Sequence, residues 1–151
     1  MKLAIVASRF NDDITSLLVQ GALDCITSHG GKTSADTVVS VPGAFELPVA
    51  ADVLASSSRY DAIICLGAVI RGETPHFEYV SAECARGIQD VMLRRQLPVA
   101  FGVLTTNTKR QAKARAGGSM GNKGWDAAST AIEMVTMFRK LRRGRSSTKR
   151  R

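Results

Sequence analysis

Arg71-Gly72-Glu73-Thr74-Pro75-His76 is the run richest in side chains with chemistry to offer. Thr74 is the residue type that caps a helix, Pro75 the type favoured at the first helical position, and Gly72 frees the turn before them. Backbone N–H groups at such a helix start suit a phosphate. His76 then falls at the second helical position, where an imidazole suits proton transfer near neutral pH. A surface histidine with no role accounts for the same placement. Val41-Pro42-Gly43-Ala44-Phe45-Glu46 carries a tight Pro-Gly turn into a second helix start, whose donors suit carbonyls or anions. Glu46, in that first turn, is also what the helix dipole alone favours. Phe10, in the polar run Ser8-Arg9-Phe10-Asn11, is either a hydrophobe covering a helix end or an aromatic platform for a flat ligand. Arg115 and Lys123 flank a glycine-rich connection, Gly117-Gly118-Ser119-Met120-Gly121-Asn122-Lys123-Gly124, which hints at phosphate binding.

Several chemistries are excluded by pattern. Lys123 is followed by Gly124 and no strand leads in, so the connection is not the G-x-x-x-x-G-K-[ST] loop of nucleotide hydrolases. G-x-G-x-x-G is absent after the first strand, which argues against a dinucleotide fold. No Cys/His cluster has metal-ligand spacing, so no metal is implied. No Ser or Cys stands beside a base, so covalent catalysis by the protein is not indicated. His29 ends a helix before Gly30, where the dipole favours it without further role.

These residues need elements to hold them. Leu3–Ala7, Thr37–Val41, Ala62–Val69 and Val99–Leu104 read as short apolar strands. Ile14, Leu17, Leu18, Ala22, Cys25 and Ile26 recur at helical spacing, Gly30-Gly31 stopping the helix. Ala44–Ser57 is helix-like, and Phe77, Val80, Cys84, Ile88 and Val91 mark a further amphipathic helix. Thr108-x-x-Gln111 is a capping box for a short helix closed by Gly117-Gly118, and Ala127, Ala131, Met134, Phe138 and Leu141 step along a last one. The order is β-α-β-α-β-α-β-α-α. Solidly apolar strands are buried on both faces, so the prediction is a flavodoxin-like three-layer α/β/α sandwich around a central four-stranded parallel sheet. Ligands of such sheets bind beyond the carboxyl ends of the strands, where Phe10, Glu46 and His76 fall.

The chain of 151 residues is one domain by length, with 44% hydrophobic and 23% charged residues. Its net charge of +8 is local. Eight of the 21 Lys and Arg lie in residues 139–151, which hold no acid; the remaining 13 balance the 13 Asp and Glu. The expected division is a neutral domain over residues 1–142 and a basic, disordered tail over 143–151. No apolar run approaches the roughly 18 residues of a membrane helix, and Met1–Val6 lacks a secretory h-region. Three widely spaced cysteines, Cys25, Cys65 and Cys84, read as free buried thiols in a reducing compartment, hence a cytoplasmic protein.

Taken together, the motifs resemble the 6,7-dimethyl-8-ribityllumazine synthase family of riboflavin biosynthesis. The matching pieces are Ser8–Asn11, Val41–Pro48, Leu66–Phe77, Phe101–Thr106, Gln111-Ala112, Arg115–Gly117 and Gly121–Gly124, in family order and spacing across about residues 2–142. The resemblance implies condensation of 5-amino-6-(D-ribitylamino)uracil with 3,4-dihydroxy-2-butanone 4-phosphate, giving the lumazine, phosphate and water. No cofactor is implied, because the substrate amine supplies the nucleophile for Schiff-base formation. Carried over, Phe10 stacks on the pyrimidine, and Ala44, Phe45 and Glu46 contact the ring and the ribityl chain. Backbone of Ala68, Val69 and Ile70 reads the uracil edge. Glu73 and Thr74, with Arg115, hold the phosphate, and Lys123 is a second cation nearby. His76 transfers protons, and Phe101 closes the site from a neighbouring subunit. The implied assembly is a homopentamer, with twelve pentamers forming a 60-subunit icosahedral shell. The alternative reading is a non-catalytic flavin- or lumazine-binding shell protein that associates with nucleic acid through residues 143–151.

Overall fold

A computed structural model describes residues 1–34 and 37–147. Four parallel strands form the central sheet: β1 (Leu3–Ser8), β2 (Val38–Val41), β3 (Ala62–Ile70) and β4 (Val99–Thr106), in the order β2-β1-β3-β4. The helices are α1 (Asp12–Ser28), α2 (Leu47–Ser56), α3 (His76–Arg95), α4 (Lys109–Ala114) and α5 (Lys123–Ser147). This is the expected three-layer sandwich with the flavodoxin-like strand order.

The alternation of side chains along each strand divides the core in two. Ile5, Ile64, Leu66 and Leu104 face α1 and α5, with Leu18, Ala128 and Ala131. Val6, Ile63, Cys65 and Val103 face α2 and α3, with Leu47, Cys84 and Ile88. All three thiols are free and buried, as the apolar context of Cys65 implied. Burial pushes Cys84 up to about 12 and raises Cys65 further, with a small push from Cys84. Cys25 is raised by burial first and by the Asp126 charge second.

Four local differences from the sequence reading have physical causes. The helix expected over Ala44–Ser57 is a 3-10 turn at Ala44–Glu46 followed by α2. Pro48 lacks the N–H that would bond Ala44 in an α-helix, so the α-helical ladder starts later. The glycine-rich connection is an antiparallel hairpin, β5 (Ala116–Gly118) and β6 (Gly121–Asn122), with Gly117 and Gly121 at φ 101° and 75°, the left-handed region glycine tolerates. Helix α3 starts at His76, with Pro75 at the cap position. Thr74 Oγ1 still accepts from the His76 N–H, at 3.5 Å. Finally, α5 runs on to Ser147, across the boundary expected at residue 143. Residues 148–151 of the expected basic tail lie outside the described residues. Among the described residues no helix is long and apolar enough to cross a membrane.

Candidate functional site

The loops at the carboxyl ends of β1 and β2 are stitched together by backbone. Arg9 N–H donates to Val41 O at 2.8 Å and Phe10 N–H to Pro42 O at 3.0 Å. The Phe10 loop is thereby held beside the Pro42-Gly43 turn, and the Phe10 ring is 75% exposed. An apolar ring so exposed in the single chain is open to a flat ligand or to a neighbouring surface. Glu46 Oε2 accepts from Gly43 N–H at 2.9 Å, fixing its own turn and leaving a second carboxylate oxygen with lone pairs to offer. Ala44 is buried beneath this turn and Phe45 is exposed on it.

Strand β3 outruns β1. The β1–β3 register ends with Ala7 opposite Leu66, while β3 continues beside β4 to Ile70 opposite Thr106. Ala68, Val69 and Ile70 therefore present a backbone edge on the β1 side that no strand covers among the described residues. Asn11 occupies one place on it, its Nδ2 donating to Ala68 O at 2.9 Å. Asn11 sits at φ 57°, a left-handed conformation that Asn accepts more readily than most residues. Sequence reasoning missed this clamp. Its one legible signal was an Asn between a strand and a helix.

Glu73, Thr74 and His76 are exposed at the start of α3, just past this edge. Phe101 lies elsewhere. It stands five residues before the end of β4, about 16 Å along the strand. It is 46% exposed on the free edge of the sheet, within a cleft of about 350 Å³ that it shares with Thr105, Arg115, Lys123 and Asp126. Backbone joins the two cations, Lys123 N–H donating to Arg115 O at 2.9 Å. Lys123 is not a bare cation, because its Nζ pairs with Asp126 at 2.8 Å. The predicted residues thus form two groups: Phe10, Ala44–Glu46, Ala68–Ile70 and Glu73–His76 at the strand ends, and Phe101, Arg115 and Lys123 along the β4 edge. A larger cleft of about 620 Å³ opens at the amino ends of the strands, lined by Lys2, His29 and Tyr60 among others. It holds none of the predicted residues. Among the described residues no cluster of His, Cys, Asp and Glu is arranged to hold a metal.

A parallel α/β sandwich with polar loops collected beyond its strand ends is the architecture of a protein that binds a small molecule there. A model of the 6,7-dimethyl-8-ribityllumazine synthase family matches residues 1–139. The chain is also 59% identical, over 141 residues, to the 6,7-dimethyl-8-ribityllumazine synthase of Syntrophus aciditrophicus (strain SB), covering 93% of this chain and 92% of that protein. The chain belongs to this family of riboflavin-pathway transferases.

Proposed function

We propose that the strand-end loops hold the two substrates of the family's condensation side by side and that His76 moves the protons. The observation that carries this is the open β3 edge at Ala68–Ile70, flanked by the exposed Phe10 ring and by the helix start at His76. Phe10 stacks on the pyrimidine of 5-amino-6-(D-ribitylamino)uracil, the β3 edge pairs with its polar rim, and Phe45 and Glu46 receive the ribityl chain. Backbone of Glu73 and Thr74, with Arg115, binds the phosphate of 3,4-dihydroxy-2-butanone 4-phosphate, and Lys123 adds charge nearby. The substrate amine attacks the ketone and the adduct loses one water to give a Schiff base. Loss of the proton from the adjacent carbon expels the phosphate as an anion and leaves an enol that becomes a carbonyl. The ribitylamino nitrogen closes the ring on that carbonyl with loss of a second water, and His76 carries protons between these nitrogens, carbon and oxygens. Proximity removes about 7–11 kcal/mol from such a two-substrate barrier, and an acid/base residue adds about 10²–10⁴-fold. Mixing the protein with both substrates and following lumazine fluorescence tests the reading. A protein that binds lumazine without forming it is the non-catalytic shell module instead.

Phe101, Arg115 and Lys123 act in the site of a neighbouring copy, so the working form is a homo-oligomer, a pentamer of the kind that builds a 60-subunit icosahedral shell. The free edge of β4 and the exposed Val49 and Val53, one turn apart on α2, support such contacts. The chain works in the cytoplasm. The basic run 139–151 supports association of the assembly with nucleic acid, repeated once per subunit. RNA retention that falls steeply with salt, and is lost on deleting residues 143–151, is the expected result.

A further inference from the structure

We propose that Arg71 is a positioning residue that braces the His76 loop against helix α4 and so sets the phosphate subsite. The proposal rests on the phosphate-binding reading of residues 73–76 given above. Arg71 follows β3 directly, and its N–H donates to Thr106 O at 2.9 Å, extending the β3–β4 pairing by one residue. Its guanidinium then reaches in two directions. Nε donates to Asn107 Oδ1 at 2.9 Å, and Nη1 pairs with Glu78 Oε1. The guanidinium carbon also lies 4.3 Å from the centroid of the Phe77 ring. Phe77 and Glu78 are the two residues after His76, so Arg71 grips the first turn of α3 from the side. The same guanidinium holds the Glu78 carboxyl below its ordinary value.

The far partner continues the brace. Asn107 N–H donates to Gln111 Oε1 at 2.8 Å, as does Thr108 N–H at 3.2 Å, while Thr108 Oγ1 accepts from Gln111 N–H at 3.1 Å. Arg115 Nη1 in turn donates to Gln111 O at 3.1 Å. One hydrogen-bonded line therefore runs from the turn carrying His76, through Arg71 and Asn107, to the first turn of α4. Arg115 of the same chain serves the neighbouring copy's site, so the brace acts on the phosphate through the 72–76 loop alone. The loop between Arg71 and His76 has little else to hold it. Among the described residues its own bonds are the 3.5 Å contact of Thr74 with His76 and the Glu78 N–H donating to Pro75 O at 3.0 Å.

The brace adds little to folding, because the Arg71 and Glu78 side chains are 44% and 52% exposed and surface ion pairs contribute weakly. Its geometric demand is specific: a planar fork that meets Asn107 and Glu78 at once while lying on a ring, which a lysine cannot reproduce. Arg71→Ala, Arg71→Lys and Asn107→Ala are compared with wild type and with Arg86→Ala. Arg86 is an α3 arginine with its own exposed ion pairs to Glu83 and Asp90, away from the site. The expected result is a KM for the butanone phosphate raised about 10–100-fold in Arg71→Ala, with KM for the pyrimidine amine within about twofold of wild type and an unchanged melting midpoint. Arg71→Lys recovers only a minor part. Asn107→Ala shifts the same constant less, and combining it with Arg71→Ala adds nothing further. Arg86→Ala stays at wild type. The proposal is overturned by equal rises in both KM values, by a loss confined to kcat with a lowered melting midpoint, or by full rescue in Arg71→Lys. Wild-type turnover in the same assay tests the family reaction separately, so the two readings fail by different results.

Discussion

His76 stands exposed at the head of a 20-residue helix, and the proposed reading, in which the groups around it bind rather than react, decides what its loss does. If orientation of the two substrates supplies most of the acceleration, His76→Ala slows turnover by about 10²–10⁴-fold yet leaves a measurable rate above the uncatalysed reaction. Complete loss of turnover in steady-state assays contradicts that division of labour. Arg115→Ala acts on a different constant. On the proposed reading it removes a phosphate partner, so the expected outcome is a raised KM for the butanone phosphate with KM for the pyrimidine amine unchanged.

Between elements, the tightest approach is that of α5 to α1. A methyl group at Gly124 would lie 1.9 Å from Leu18 O, and Asn122 fixes the same junction by donating from Nδ2 to Leu17 O at 3.0 Å and accepting from Gly124 N–H at 2.9 Å. Helix α5 begins where α1 admits no side chain. Gly124→Ala accordingly costs about 1–3 kcal/mol, read from urea unfolding, and an unchanged midpoint refutes the assignment. On the opposite face, Asp52 of α2 pairs with Arg95 and Arg94 of α3 at 2.8 and 3.0 Å. The hydrogen bond from Arg95, then that from Arg94, holds its carboxyl at about 2 against an ordinary 3.8. A depressed carboxylate stabilises the fold above about pH 4, and that stabilisation fades as pH falls toward 2. The arginines are partly exposed, so the amount stays below about 1 kcal/mol. The stability gap between wild type and Asp52→Asn is therefore expected to be full at pH 5 and to close by pH 2. A gap that does not change with pH removes the ion pair as its cause.

For the molecule as a whole, three thiols sealed in the two half-cores, all raised by burial, predict a protein inert to thiol reagents while folded. All three should react together on unfolding in denaturant, and fast labelling of the native state contradicts the two-sided core. Division of the site residues between the strand ends and the β4 edge makes a prediction about assembly. If each site draws Phe10 from one copy and Arg115 from another, mixing Phe10→Ala and Arg115→Ala chains during refolding gives, at low substrate, more activity than either impaired chain has alone. Absence of complementation, together with a monomeric mass by light scattering, refutes the shared site.

Much of this was written in local pattern. Apolar runs such as Ala62–Val69 announced strands buried on both faces, helical spacing announced α1, α3 and α5, and the Thr108–Gln111 box formed as read, with each side chain bonding the other's backbone. The motif residues were legible too, because turn and cap chemistry depends on neighbours a few positions away. A period of two tells which face a side chain takes but not which strand lies alongside. Only the tertiary structure therefore decided that β1 and β3 are neighbours, that β3 outruns β1 to leave Ala68–Ile70 open, and that Asn11 reaches Ala68 across 57 positions. It likewise joined Arg71 to Asn107, 36 positions on, and set Phe101 on a free edge rather than at a strand end. Those facts depend on strand order and register, which arise when the whole chain packs and two helices must cover each face of one sheet.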